Sequence, residues 1–400
     1  MTGRTAEAFE RSVALLADAA TPAGFVASPA FDHYAVIWAR DGLIAALGAL
    51  DVGEPVLVAA AGATLDTLSA HASALGQIPA VVAPATAEWD FAEGGVVDAT
   101  AWFVLVVDAY ARTTGDLDRV RTWWPAVQRA MSWLRHQDVT GSGLISAAPS
   151  TDWMDAALTR SGRTLHLNAL YAGAAASSAR VGAALGESVT DTSEGVIAAV
   201  NAWFWPDAGT DVRALFPHGF QHDATRISYW EAASANRRHY VSHIVHSALI
   251  DRCDTLANLL AIRTGIADDD RAALVLDALD AAADPYPTRT FPDPIRHDDG
   301  TGMLIAVAES SIPERWRNRP GRYHNGAAWP YIGGFHVEML ARSGDRDAAR
   351  EMLIRLAEAN ALDDWCFPEW IDAEGVPAGA SLQTWNAATY VLGFRAVDAL

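Results

Sequence analysis

Apolar residues recur at intervals of three and four along most of the chain, and alanine and leucine are plentiful, so the dominant expectation is helix. The punctuation between helices sharpens it. Five glycines, in Val52-Gly53-Glu54, Thr114-Gly115-Asp116, Leu185-Gly186-Glu187, Thr264-Gly265-Ile266 and Ser343-Gly344-Asp345, sit where one helical pattern stops and the next begins. Glycine takes the left-handed conformation that ends a helix, and an acid just beyond suits the next N-terminus. The near-regular spacing of these turns points to repeated helical hairpins. The pattern predicts helices near 4–20, 41–51, 54–71, 98–114, 117–135, 164–185, 193–204, 241–264, 268–283, 326–342, 345–359 and 381–399. Tight turns alternate with long connections at 21–40, 72–97, 136–163, 205–240, 284–325 and 360–380. Twelve helices alternating in this way predict an all-α (α/α)6 barrel, a toroid of six hairpins, with an open α-solenoid as the alternative. No linker or shift in composition divides the chain, so residues 1–400 are expected to form a single catalytic domain.

If the tight turns share one face, all six long connections share the other, and long connections in a compact domain usually carry function. Their polar content then converges on one mouth. Trp38, Arg40 and Asp41 end the first, and Gln77 and Asp98 occupy or close the second. Asp152, Trp153 and Asp155 lie in the third, and Ser228-Tyr229-Trp230-Glu231 in the fourth. His324, Asn325 and Trp329 close the fifth, and Glu369, Gln383 and Trp385 belong to the sixth. A carboxylic acid beside an indole is suited to protonating a leaving oxygen, because an apolar wall raises its pKa. Inverting glycoside hydrolysis needs two such carboxyls about 6.5–9.5 Å apart across the sugar. Asp155 is expected to be the general acid and Glu369 the general base, with Trp38, Arg40, Asp41, Gln77, Asp98, Trp153, His324, Asn325, Trp329, Gln383 and Trp385 around the substrate. Taken singly, Asp41 and Asp98 also read as helix N-caps, and the tryptophans as core.

Composition removes other classes. A formal net charge of −20, with no basic run, argues against a nucleic-acid partner. Two cysteines, Cys253 and Cys366, make neither a disulfide framework nor a zinc site. There is no His-Glu-x-x-His motif, P-loop, dinucleotide fingerprint or Gly-x-Ser-x-Gly elbow, so no metal and no cofactor is expected. The start of the sequence lacks the apolar core of a signal peptide and no apolar run reaches membrane-spanning length, so a cytoplasmic protein without a membrane partner is expected.

The order of motifs is also familiar. Arg40-Asp41, Gly76-Gln77-Ile78-Pro79-Ala80, Val97-Asp98-Ala99, Trp153-Met154-Asp155, Tyr323-His324-Asn325-Gly326, Phe367-Pro368-Glu369 and Gln383-Thr384-Trp385 together resemble the alkaline/neutral invertases and the amylo-α-1,6-glucosidase part of glycogen-debranching enzymes. Leu167-Asn168-Ala169-Leu170 is similar to the debranching group in particular. The resemblance implies an (α/α)6-barrel inverting glycoside hydrolase with Asp155 on the family acid and Glu369 on the family base. It places Arg40, Asp41, His324 and Gln383 on or near the pocket for the released sugar. The substrate expected is a small carbohydrate, a sucrose-like or α-1,6-linked glucoside. A sugar epimerase or lyase on the same barrel, or a non-catalytic carbohydrate-binding protein, are the competing classes. The linkage and the oligomeric state stay open.

Overall fold

A computed structural model describes residues 3–31, 33–91, 96–149, 151–154, 160–211, 236–245, 248–280, 286, 288–296 and 318–399. Among them stand twelve helices of nine residues or more. They are α1 (Gly3–Ala19), α2 (Ala39–Val52), α3 (Pro55–Ala70), α4 (Val96–Thr114), α5 (Leu117–Arg135), α6 (Leu165–Leu185), α7 (Ser193–Phe204), α8 (Thr255–Arg263), α9 (Asp269–Asp280), α10 (Pro330–Arg342), α11 (Arg346–Asn360) and α12 (Thr384–Asp398). The expected caps are present. Gly53, Gly115, Gly186, Gly265 and Gly344 all adopt positive φ, between 66° and 86°. The side chains of Asp116, Thr164, Asp254 and Asp345 accept backbone N–H bonds at the starts of α5, α6, α8 and α11.

The helices form two concentric layers. Inside, α2 packs on α4, α4 on α6, α6 on α8, α8 on α10, α10 on α12, and α12 returns to α2, so the ring closes. Burial tells the layers apart. From Ala39 to Leu50 every residue of α2 is buried, and α10 is buried from Pro330 to Ala341, as befits a helix surrounded by others. By contrast α11 buries only part of its surface, Ala349, Met352, Leu353, Leu356, Ala357, Ala359 and Asn360. Glycines let the inner helices approach closely: a Cβ on Gly48 would collide with the backbone of Ala388, and one on Gly334 with that of Thr389. This is the (α/α)6 barrel.

Every inner helix is entered from a long connection, so all six N-termini gather at one rim. Backbone hydrogen bonds join each connection to the next around that rim. Ala39 N–H bonds Ala80 O (2.8 Å), Val97 N–H bonds Thr151 O (3.2 Å), and Thr255 N–H bonds Thr290 O (3.0 Å). Arg163–Thr164 pairs with Ile244 and His243, Ala328 N–H bonds Ile371 O (2.9 Å), and Thr384 N–H bonds Ala27 O (3.0 Å). The circle is complete. Short antiparallel ladders reinforce it, β1 (Ala20–Thr21) with β2 (Gly24–Phe25), β3 (Ile37–Trp38) with β4 (Val81–Ala83) and β5 (Glu88–Asp90), β6 (Arg163–Thr164) with β7 (His243–Val245) and β8 (Ala248–Ile250), and β9 (Trp370–Ile371) with β10 (Pro377–Ala378).

The helix expected from Ser381 begins at Thr384, and two other starts differ more. The helix expected over 241–264 begins only at Thr255; the β-branched stretch before it forms β7 and β8, and Asp254 caps α8. The helix expected from Gly326 starts at Pro330, because proline lacks the N–H that an earlier start would use and is favoured at the first helical position. Gly326 instead holds φ 93° in the preceding turn. No helix among the described residues is long and apolar enough to cross a membrane.

Candidate active site

The first turns of the inner helices carry polar or aromatic side chains at the rim: Arg40 and Asp41 on α2, Asp98 on α4, His166 on α6, Tyr331 on α10 and Trp385 on α12. All are buried. Arg40 reaches Asp98 Oδ2 at 3.5 Å and Asp41 Oδ2 at 3.8 Å, and its guanidinium stands 5.7 Å from the Trp385 ring centre. His166 Nε2 lies 3.5 Å from the same Asp98 oxygen. Burial pushes Asp98 up to about 6, with Arg40 partly opposing, and holds His166 down to about 4. Both groups therefore resist charge in this enclosure.

Aromatic rings wall it. Tyr331 stacks on Trp385 at 4.1 Å and 11°, and Trp153 meets His324, Trp329 and Tyr331 edge-on at 5.1, 5.4 and 5.6 Å. His324 lies between Tyr323 (4.0 Å) and Trp329 (5.2 Å) in stacked contacts. Among the described residues, several buried polar atoms here have no hydrogen-bond partner: Asp98 Oδ1, Tyr331 Oη, both amide atoms of Gln383 and the indole N–H groups of Trp153 and Trp385. Buried polar atoms are costly unless matched. Donors and acceptors between indole and phenol faces are the chemistry that holds sugar hydroxyls.

Glu369 is buried beside this enclosure, 4% exposed. Its Oε2 accepts the Ala380 N–H at 2.9 Å, and Oε1 accepts Tyr34 Oη at 3.4 Å. Gly379, at φ 79°, presses on the carboxylate, and any Cβ there would collide with Oε2. The segment is tied to the head of α12, where Asn386 Nδ2 donates to Pro368 O (2.7 Å) and Gln383 N–H to Phe367 O (3.1 Å). Tyr34 in turn lies 6.3 Å, ring to ring, from Trp38. The first and sixth connections thus meet at Glu369.

The remaining expected residues fall into different places. Asp155 lies outside the described residues, as does Ser228–Glu231. Asp152, the other acid beside Trp153, is engaged: Oδ2 accepts from Arg160 Nε at 2.8 Å and Oδ1 from the Met154 N–H at 3.0 Å. Arg160 also pairs with Asp254, so a buried Asp152–Arg160–Asp254 bridge fastens the third connection to the cap of α8. Asn325 spends its amide on the loop, accepting from Ile295 N–H (2.7 Å) and donating to Ile295 O (2.9 Å) and Asn318 O (2.8 Å). That makes it framework, whatever its sequence neighbours do. Gln77 is half-buried in a turn closed onto Ser73, and no described contact ties its side chain to the cluster. His166, Tyr331, Tyr34 and Gly379 are the additions. The signal for the first two was their register: each is the second residue of its helix, as Arg40 and Trp385 are.

Known proteins share this fold. The family model described as Amylo-alpha-1,6-glucosidase matches residues 11–391. The chain belongs to that family. That family is one of glycosidases. The chain is 26% identical over 343 residues to alkaline/neutral invertase E, chloroplastic, of Arabidopsis thaliana, covering 76% of this chain and 53% of that protein. Against the probable alkaline/neutral invertase F of the same plant it is 23% identical, covering 77% and 66%. The matches therefore span about half to two thirds of those relatives. Among solved structures, GH63 mannosylglycerate hydrolase from Thermus thermophilus in complex with glucose superposes with TM-score 0.67 at 16% identity, covering 96% of this chain and 99% of that one. A wild-type glycosidase gives TM-score 0.63 at 18% identity, with 99% and 98% covered. Both share the fold of this family member.

Proposed function

We propose that this family member hydrolyses the α-glycosidic bond of a small glucoside or oligosaccharide with inversion at the anomeric carbon. The observation that carries the reading is Glu369: a buried carboxylate, aimed by Ala380 N–H and Tyr34 at the edge of an aromatic enclosure lined with unmatched polar atoms. Glu369 takes a proton from water as that water attacks the anomeric carbon. The glycosidic bond breaks as Asp155 gives its proton to the leaving oxygen. The role of Asp155 is supported by its place directly after Trp153-Met154, whose position the Asp152–Arg160 pair fixes. Trp385, Tyr331, Gln383, Asp98, Arg40 and Asp41 surround the sugar that is released, His324 backs the wall between Tyr323 and Trp329, and Trp38 stands at the entrance. A small leaving group is favoured by the relatives, which include invertases and a mannosylglycerate hydrolase.

The test is proton NMR of products from sucrose, trehalose, isomaltose, glucosylglycerate and an aryl α-glucoside. The β-anomer of the released hexose should appear first with at least one of them. First appearance of the α-anomer would reject inversion, and binding without turnover across the panel would reject hydrolysis. Glu369→Gln and Asp155→Asn should each lower kcat by about 10²–10⁴-fold with unchanged thermal unfolding. Near-wild-type turnover in either variant removes that residue from its role.

A further inference from the structure

Opposite the rim, where the inner helices end, lies a second cavity of about 390 Å³. Its walls come from α2, α4, α6, α8 and α10, and they carry four guanidinium groups, Arg112, Arg180, Arg263 and Arg342. We propose that this floor cavity is an oxyanion site that takes the dianionic phosphate of a small metabolite. Two buried carboxylates organise the four arginines. Asp108 Oδ2 accepts from Arg112 Nε at 3.3 Å and from Arg180 Nη2 at 2.7 Å. Glu338 Oε2 accepts from Arg263 Nε at 3.0 Å, and Oε1 pairs with Arg342 Nη2. Each carboxylate holds two guanidiniums; Arg180 meets Asp108 through Nε as well, at 3.1 Å, and donates from Nη2 to Ser177 Oγ at 2.9 Å. Four guanidinium groups and one carboxylate, Asp108, line the cavity, with Glu338 paired to two of the arginines, in a chain whose formal net charge is −20.

Helix polarity explains part of this cluster. Arg112, Arg263 and Arg342 stand in the last turns of α4, α8 and α10, where a cation offsets the partial negative charge of the helix end. It does not explain Arg180, which stands short of the end of α6 yet reaches the same carboxylate. Nor does it explain Asp108 and Glu338, acids buried near helix ends that disfavour them. Their use is to fix the arginine forks. Planar guanidinium groups so held match phosphate oxygens, stay charged at every physiological pH, and outlast the screening that weakens a looser patch. The cavity exceeds what a bare phosphate fills, so a phosphate monoester with a small polar body, such as a sugar phosphate, suits it best.

Isothermal titration of the full chain with inorganic phosphate and with glucose 6-phosphate, against sodium chloride at matched ionic strength, tests this. Saturable binding of phosphate-bearing ligands over chloride is expected. A tighter Kd for glucose 6-phosphate identifies a monoester as occupant, and equal values identify the free anion; both support the site. Arg180→Gln and Arg342→Gln should each weaken binding roughly tenfold or more, while glycoside turnover persists. Both side chains are about half exposed, so folding should survive, and Arg112→Gln, more exposed still, is the second probe. Wild-type binding no stronger than the chloride control overturns the proposal. So do variants that lower thermal stability but bind phosphate as the wild type does, the result expected if the arginines only complement helix ends.

Discussion

Asp98 and His166 share an oxygen-to-nitrogen distance of 3.5 Å, yet burial drives their proton affinities in opposite senses. Asp98, raised to about 6, keeps a proton in the fold that the unfolded chain releases above its ordinary 3.8. Its contribution to stability is complete below that value and lost as pH rises through 6. The histidines behave conversely. His166 and His336, lowered to about 4, and His243, lowered to about 3, stay neutral in the fold while the unfolded chain protonates below 6.5. Their contribution is complete above 6.5 and lost as pH falls through their folded values. Three groups outweigh one, so the melting temperature should fall on acidification from pH 6.5 to 4. Each uncompensated proton contributes about 1.4 kcal/mol per pH unit. Asp98→Asn should steepen that fall and His336→Asn should flatten it, both read from melting temperature against pH. A flat wild-type profile would contradict the assignment. Asp98 was visible in the sequence because it begins a helix after a long connection. His166 was harder to see: its one mark is its place in the first turn of α6, and its partner is remote in the chain.

The third connection shows what an element-scale reading gained and missed. Trp153 was legible as a buried wall, and the cap Thr164 placed α6 within one residue. The bridge through Arg160 was not legible, because Asp152 and Asp254 meet only when the rim has formed. All three charges are buried, and a buried pair stripped of one partner loses about 3–5 kcal/mol. Arg160→Met should therefore destabilise by roughly that amount in urea titration, leaving two uncompensated acids. Restoring stability by adding Asp152→Asn and Asp254→Asn would bear out this cause; an unchanged denaturation midpoint in Arg160→Met would refute it. The strands β7 and β8 were missed for a related reason. Val241, Ile244, Val245, Leu249 and Ile250 satisfy helical and extended periodicities alike over so short a span, and pairing with β6 decides between them.

For the molecule as a whole, the five glycine turns made five hairpins legible, but nothing local says that a row of hairpins bends into a circle. That is set by contact between helices far apart in sequence, α12 against α2 at Gly48–Ala388, with Gly334–Thr389 beside it on α10. The collisions a Cβ would make at these glycines are with backbone, which cannot yield as a side chain does. Gly48→Val and Gly334→Val should each cost about 1–3 kcal/mol or more. Far-ultraviolet dichroism and tryptophan fluorescence should be lost together in both, since each inner helix depends on two neighbours. Separate transitions would show that the circle melts in sections. The same closure bears on synthesis. α12 is the last of the inner helices to leave a ribosome, and until it does, α2 and α10 each present a bare apolar flank to water or to a chaperone. A nascent chain of this kind can collapse early, but it becomes a barrel only when this fifteen-residue helix has been made.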